Sequence, residues 1–389
     1  MFSHRIYGII YSPNTSFSNR LSVYPVFELQ KGPSETMSPR KTYHDQTDEE
    51  NILKLREVLK TLPYFARDYF RAIDATTTTR TRISYAYDIR LFFQFLVTQN
   101  PSLEGMRIPD LPIEILDEVK ALDLEEYMEY LKLYEDSEDK HITNGERGLK
   151  RKISALRSFY AYYYRKEMIH TNPTVLIDMP KIHEKAIIRL DADEVASLLD
   201  YVESCGNNLT GQQKAYYEKT KERDLAIVTL FLGTGIRVSE CVGLDIEDVD
   251  FKNNAVKVTR KGGNEMYVYF GEEVEKTLKA YLTVREGITP VAGHEHALFY
   301  STQRRRISVK AVENLVKKYT SAITTTKKIT PHKLRSTYGT SLYKETGDIY
   351  LVADVLGHKD VNTTRKHYAA MDDERRRSAA QAVKLREES

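Results

Sequence analysis

The sequence has no tryptophan and only two cysteines, Cys205 and Cys241, among its 389 residues. Two cysteines cannot build a disulfide framework or a cysteine-based metal site, which excludes a small secreted scaffold and predicts reduced thiols in a cytoplasmic protein. No apolar run reaches the roughly 18 residues that a membrane-spanning helix needs. A strong net charge is also missing, because 58 basic and 56 acidic residues leave a formal charge of +2. A partner recognised by charge must therefore meet a local cluster of basic or acidic residues.

Tyrosine, by contrast, is abundant, with 27 residues, and hydrophobic residues make up 41% of the chain. This length and composition allow two domains, each with its own core. Residues 1–45 contain Pro, Ser and Asn breakers and end near "KGPSETMSPRK", which predicts a mostly disordered leader. The proline-interrupted stretch "HTNPTVLIDMPKIHEKAI" predicts a linker. We therefore expect a helical domain over residues 46–180 and a second domain over residues 181–389.

The last predicted helix of the first domain is "GERGLKRKISALRSFYAYYYRKEMIH". Its apolar residues recur at three- and four-residue spacing, so they form a buried face. The other face is cationic and includes Lys150, Arg151, Lys152 and Arg157. Cations interleaved with tyrosines suit contacts with the phosphates of a nucleic acid. A solvated charged face explains the same pattern equally well.

The second domain mixes two kinds of pattern. "RDLAIVTLFLGTGIRVSECVGL" predicts a buried helix, a glycine turn and another helix, whereas "DVDFKNNAVKVTRKGGNEMYVYF" alternates and predicts two or three strands. Helical patterns return after the strands. The predicted fold class is therefore mainly α with a small antiparallel β-sheet. His294 and His296 in "GHEHALF" lack a third ligand at a suitable position, so no metal site is predicted.

Several single residues in the second domain could carry chemistry, although each is a weak signal alone. An arginine after a glycine turn is usually a surface or capping residue, and a lone histidine is usually structural. His and Arg three residues apart share one helix face. The candidates, in chain order, are Arg237, Lys261, His332, Arg335, His358 and Tyr368.

In this order, the motifs "GTGIRVSECVGL", "VTRKGGNEMYVYF", "LFYSTQRRRISVKAVENLVKKY" and "ITPHKLRSTYGTSLYKETGDIYLVADVLGHKDVNTTRKHYAA" resemble the tyrosine recombinases, the lambda-type integrase family that includes Xer-like and mobile-element enzymes. Upstream, "RKISALRSFYAYYYRKEMIHTNP" is similar to the last helix of that family's core-binding domain. The resemblance implies an N-terminal helical, SAM-like core-binding domain followed by a mixed α/β catalytic domain. It covers most of residues 75–380.

The resemblance implies a site-specific recombinase that cuts and rejoins double-stranded DNA through a 3′-phosphotyrosyl intermediate, without metal, ATP or another cofactor. Tyr368 would be the nucleophile, and the other five candidates would be its electrostatic and acid–base partners. Glu240, three residues after Arg237, is expected to orient that arginine. Further DNA contacts are expected from Arg304, Arg305, Arg306 and Lys310.

Two features depart from the family pattern. Tyr368 lies one residue farther from His358 than is usual, and no other tyrosine lies between them. In the hairpin, Asn264 and Met266 replace later cations, which leaves some hairpin contacts with DNA open. Arg260 is a second, less favoured claimant to the role of Lys261.

The resemblance also implies a homotetramer on DNA, in which the C-terminal segment "RRRSAAQAVKLREES" docks into a neighbouring subunit. Folding of that segment onto its own domain is the alternative. Integration or excision of a mobile element, with an accessory directionality factor, is the favoured role, and a nucleoid-associated location in the cytoplasm follows from it. Xer-type resolution of chromosome or plasmid dimers, type IB topoisomerase activity and catalytically silent DNA binding stay open.

Overall fold

The structure is a computed structural model that describes residues 42–135, 139–183, 187–260 and 263–358, together with residues 360, 361 and 364. Most of the predicted leader therefore lies outside the described residues. The first helix begins at Tyr43, inside the stretch predicted as leader. Asp45 in its first turn favours a helix start there, because a carboxylate interacts well with the positive end of the helix dipole.

Among the described residues from 42 to 183, the chain is mainly helical, with one short antiparallel hairpin. Thr78 caps the long third helix by accepting a hydrogen bond from the backbone N–H of Thr81. The elements are α1 (Tyr43–Leu59), α2 (Ala66–Ala72), α3 (Thr79–Gln99), α4 (Ile115–Glu118), α5 (Ala121–Tyr130), β1 (Leu133–Glu135), β2 (His141–Thr143) and α6 (Glu146–Arg165).

Aromatic side chains build the centre of this helical part. Phe159 of α6 lies edge-on to Tyr69 of α2, with ring centroids 5.1 Å apart, and to Phe93 of α3 at 6.0 Å. All three residues are fully buried. The buried hydrophobic residues around them form one cluster that extends from Leu55 to Ile177. The abundant aromatic residues of this part thus serve largely as core.

The described residues from 187 to 358 combine helices with a three-stranded sheet. Its three strands, residues 249–250, 255–259 and 265–269, lie in chain order and pair antiparallel, and Val256 pairs with Val268. The elements are α7 (Ala192–Ser204), α8 (Gly211–Thr234), α9 (Val238–Gly243), β3 (Val249–Asp250), β4 (Ala255–Thr259), β5 (Glu265–Tyr269), α10 (Glu272–Glu286), α11 (Val309–Ile323), α12 (Pro331–Thr346) and α13 (Ile349–Leu356).

Helix α8 is the central element of this second part. Its residues Ile227 and Phe231 are fully buried, and the hydrophobic cluster around them extends from Leu190 to Leu334. The predicted fold class, mainly α with a small antiparallel sheet, is confirmed. The domain boundaries at residues 45 and 180 stay predictions. No helix in the described part of the chain has the length and apolar character that crossing a membrane requires.

Candidate active site and nucleic-acid interface

The glycine turn after α8 places Arg237 at the start of α9. Gly235 has φ +63°, and a Cβ there would collide with the ring of Tyr338, so both the conformation and the close packing favour glycine. Arg237 is the N-cap residue of α9, and its backbone N–H donates to Oε2 of Glu240 over 2.8 Å. Nη1 of Arg237 donates to Oε1 of the same carboxylate over 2.6 Å. The prediction that Glu240 orients Arg237 is confirmed.

Arg335 lies in the second turn of α12 and is 4% exposed. One of its terminal nitrogens donates to the carbonyl oxygen of Gly235, and the other donates to that of Leu356. The guanidinium therefore connects the turn after α8 with the end of α13. A charge that is buried this deeply has to be hydrogen-bonded, because an unpaired buried charge is strongly unfavourable.

Helix α13 ends in a Schellman turn that brings His358 beside the arginines. Gly357 has φ +60°, and its N–H donates to the backbone carbonyl of Asp354 over 2.8 Å. The N–H of His358 donates to the backbone carbonyl of Ala353 over 2.8 Å. Nδ1 of His358 is hydrogen-bonded to Oγ1 of Thr364 over 2.7 Å, and Thr364 is fully buried. These contacts fix both the backbone and the ring of His358.

Three guanidiniums from three different elements converge on the carbonyl oxygens of this turn. Arg335 donates to Leu356, Arg237 donates to Gly357 over 3.2 Å, and Arg260 donates to the carbonyl of residue 355 over 2.8 Å. The last carbonyls of a helix carry partial negative charge and lack intrahelical partners, so they suit cations. The result is a cluster of three cations around one turn, with the carboxylate of Glu240 paired to Arg237.

Arg260 is the member of this cluster that the sequence did not place there, since it was named only as a less favoured claimant to the role of Lys261. Burial lowers the pKa of Arg260, and the positive charge of nearby Arg237 lowers it further, while Glu240 acts in the opposite direction. Strand periodicity could have indicated its position. Arg260 follows β4 two residues after buried Val258, so alternation directs its side chain to the same face.

The other predicted catalytic residues are placed differently. His332 is exposed in the first turn of α12, three residues before Arg335 and hence on a neighbouring part of the helix surface. Lys261 and Tyr368 lie outside the described residues. The structure thus brings together Arg237, Arg335 and His358, and their catalytic roles stay predictions.

Known proteins of similar sequence identify the family of this chain. Residues 188–375 match the model of the phage integrase family. The chain is 34% identical over 349 residues to the tyrosine recombinase XerC of Caldanaerobacter subterraneus subsp. tengcongensis, and the alignment covers 86% of this chain and 91% of the relative. The chain belongs to the tyrosine recombinases. It is therefore an enzyme that transfers DNA strands in site-specific recombination.

Further similarities extend over most of this recombinase. The tyrosine recombinase XerS of Streptococcus uberis is 29% identical over 348 residues, which cover 83% of this chain and 96% of the relative. In fold, the recombinase is similar to the XerH site-specific recombinase bound to palindromic difH substrate, with a TM-score of 0.59 and 18% identity over 88% of this chain and 90% of that one. It is also similar to the Tn1549 transposon integrase, with a TM-score of 0.56 and 19% identity over 77% and 93%.

The predicted cationic face of α6 is only partly exposed in the recombinase. Lys150 is half-buried and Arg151 is exposed, but Lys152 is 9% exposed and its Nζ donates to Asp88 over 3.2 Å. Arg151 pairs with the same carboxylate. Burial raises the pKa of Asp88, although both cations act to lower it. The predicted outward position of Lys152 is thus wrong, because a buried acid on α3 draws its ammonium inward.

Arg157 of α6 also makes contacts within the fold. Its Nε donates to the carbonyl of Thr174 over 3.0 Å, and its Nη2 donates to that of Ile177 over 2.5 Å. This arginine fastens the segment after α6 to the helix, a role that does not require DNA. Its predicted contact with DNA stays a prediction.

The three arginines before α11 also include both exposed side chains and one that makes contacts within the fold. Arg304 and Arg305 are exposed at the tip of a tight turn, in which the N–H of Ser301 donates to the backbone carbonyl of Arg305 over 2.7 Å. Arg306 is half-buried and donates to the carbonyls of Val242 and Leu244 over 2.9 and 2.8 Å. Lys310, on the first turn of α11, has a side chain that is 78% exposed. The exposed members suit a nucleic-acid surface, whereas Arg306 holds the turn to the fold.

Proposed function

We propose that this recombinase cleaves a DNA strand by attack of Tyr368 on a phosphodiester that is held beside Arg237, Arg335 and His358. The observation that carries the proposal is the convergence of guanidiniums on the turn at residues 354–357. His358 belongs to this turn, and Tyr368 follows it by ten residues in the sequence (368 − 358). A phosphate matches two neighbouring guanidiniums in charge and in the geometry of its oxygens.

The proposed chemistry balances without a cofactor. The phenolic oxygen of Tyr368 forms a bond to phosphorus, the bond to the 5′-oxygen breaks, and the DNA is left as a 3′-phosphotyrosyl ester. A histidine, His332 or His358, accepts the tyrosine proton, and Lys261 donates a proton to the leaving 5′-oxygen. The ester retains the energy of the broken bond, so a second 5′-hydroxyl can reverse the step.

The arginines would stabilise the extra negative charge of the phosphorane. Fixed cations in a site that is shielded from water lower the barrier most, because they need no reorganisation during the reaction. Arg237 is anchored by Glu240 on one side, yet 38% of its side chain is exposed, which leaves it accessible to a ligand. A guanidinium has five N–H donors, so contacts with protein carbonyls and with phosphate can coexist.

A suicide duplex tests this proposal. The duplex carries a nick close to the cleavage position, so that the short 5′-hydroxyl strand diffuses away and the covalent complex is trapped. Wild-type protein should give a protein–DNA band that survives denaturant, and Tyr368→Phe should give none. Retained DNA binding by the variant is the control. Binding without a covalent band in the wild type would instead indicate catalytically silent DNA binding.

Two intact duplexes that carry the bound site separate recombination from topoisomerase chemistry. Transfer of one trapped strand to an added 5′-hydroxyl does not, because any 3′-phosphotyrosyl enzyme can perform it. A recombinase exchanges strands reciprocally and gives two recombinant duplexes, whereas a type IB topoisomerase reseals each strand within its own duplex. Reciprocal recombinants support the proposal, and relaxation of supercoils without them contradicts it.

Integration or excision of a mobile element is the biological role that we propose. It is supported by the similarity in fold to a protein described as the Tn1549 transposon integrase in complex with circular intermediate DNA. A second candidate role, resolution of chromosome or plasmid dimers, is favoured by the XerC and XerS names of the relatives. A footprint followed by sequencing of the bound site decides between them: element ends support the first role, and a single chromosomal site supports the second.

The proposed assembly is a homotetramer on double-stranded DNA in the cytoplasmic nucleoid, held by exchange of the segment from residue 375 to residue 389. That segment lies outside the described residues. The neighbours XerH and lambda integrase were solved on DNA sites, which supports DNA as partner. Removal of residues 375–389 should leave suicide-duplex cleavage measurable and reduce recombinant products. An accessory directionality factor is part of the same proposal.

A further inference from the structure

Arg260 has contacts that its position at the end of β4 does not require. Its Nη2 donates to the carbonyl of Val355 over 2.8 Å, and its Nη1 lies 3.5 Å from that of Asp354. Its Nε is buried and has no hydrogen-bond partner among the described residues. The side chain is therefore held against α13 by its two terminal nitrogens.

The same guanidinium lies directly against Gly357. A Cβ at residue 357 would collide with Nη1 of Arg260, and its nearest other neighbours would be atoms of the same guanidinium. Gly357 is thus required twice, by its φ of +60° and by the volume that Arg260 occupies. The arginine and the glycine form a matched contact, and His358 is the next residue along the chain.

A purely structural explanation accounts poorly for an arginine here. Burial disfavours its charge and Arg237 repels it, and these effects outweigh the attraction to Glu240 and Asp354, as the lowered pKa of Arg260 indicates. A neutral donor would satisfy the same carbonyl of Val355 without either cost. What a planar guanidinium adds is a rigid surface that spans two carbonyls and covers Gly357, which restricts where the next residue can lie.

We propose that Arg260 is a positioning residue that, by packing on Gly357 and bonding Val355, holds the imidazole of His358 at the scissile phosphate. This inference rests on the proposed function, since it assigns Arg260 a role in the same cleavage step. Arg260 acts through His358 and does not itself contact the reacting atoms. This positioning role differs from the proton donation proposed for Lys261, a role for which the sequence made Arg260 only a less favoured candidate.

A double-mutant cycle on the suicide duplex tests the inference. Arg260→Gln should lower the single-turnover cleavage rate by about 10²-fold, the loss expected when a reacting group is misplaced by about 1 Å. In a His358→Ala background the same substitution should cause little further loss, because the group it positions is absent. Arg260→Lys, which retains the charge but not the planar surface, should give an intermediate rate.

Melting temperature and DNA affinity are measured for every variant, and rates are compared at saturating protein. Equal losses from Arg260→Gln in both backgrounds would overturn the inference, as would an unchanged rate in the wild-type background. If Arg260→Gln does not fold, the cycle is run with Arg260→Lys and the same criteria apply. Failure of the proposed function looks different, because the wild type itself then forms no covalent band.

Discussion

Glu240 offers the sharpest test of how the arginine cluster is organised. It is 4% exposed, and its two carboxylate oxygens hold the backbone and the guanidinium of Arg237. Glu240→Gln retains the size of the side chain and one acceptor for the backbone N–H of Arg237. The substitution removes a negative charge that pairs with Arg237 and also attracts Arg260 electrostatically.

The expected cost follows from these contacts. A hydrogen bond to a charged group contributes about 1.5–3 kcal/mol, and partial exposure of Arg237 favours the lower end of that range. A loss of about 1.5 kcal/mol lowers the Tm of a domain of 150–250 residues by about 3–6 °C. The cleavage rate should fall by about 10- to 100-fold, which is more than the lower Tm alone would cause. The reason is that a guanidinium that is no longer oriented contacts the phosphate less well.

The chain supplies a matched control for this variant. Glu194 occupies the same position in α7, where its Oε2 accepts the backbone N–H of Asp191 over 2.8 Å. It also pairs with Lys327 over 2.5 Å, so Glu194→Gln removes a comparable cap and ion pair. Melting curves and suicide-duplex rates should show a similar loss of Tm for both variants but a slower cleavage only for Glu240→Gln. Equal cleavage by the two variants would refute the reasoning.

Three further predictions concern single contacts. Asp88→Ala leaves the buried ammonium of Lys152 without its partner and should destabilise the protein by about 3–5 kcal/mol in urea melts, while an unchanged midpoint would contradict the pairing. Arg304→Gln should weaken DNA binding and reduce the slope of log K against log salt by about 1; an unchanged slope would place Arg304 away from phosphate. Thr364→Val removes the hydroxyl bonded to His358 and should slow cleavage about 10-fold at unchanged DNA affinity, which a rate equal to wild type would exclude.

The sequence predicted the features that depend on local pattern. Hydrophobic periodicity identified α6 and α8, alternation identified β4 and β5, and the three-residue spacing of Arg237 and Glu240 predicted their contact. Motif order was more informative than any single residue. Lone arginines and histidines are common, whereas this set in this order is not.

The sequence could not predict which cations turn inward. Lys152 pairs with Asp88, which lies 64 residues earlier, and Arg306 binds carbonyls more than 60 residues away. Such partners meet only when the chain folds. Assigning cations to an exposed helix face from their spacing alone therefore overestimates the exposed basic surface. Strand alternation could indicate the face of Arg260 but not its acceptors, because these lie on α13 more than 90 residues later.

The identity of the nucleophile is the central claim, and peptide mapping tests it most directly. The trapped complex is digested with nuclease and trypsin, and the peptide that carries a nucleotide is identified by mass spectrometry. The proposed chemistry predicts the added mass on "HYAAMDDER", residues 367–375, in which Tyr368 is the only tyrosine. Added mass on a peptide with any other tyrosine, or on none, would contradict it.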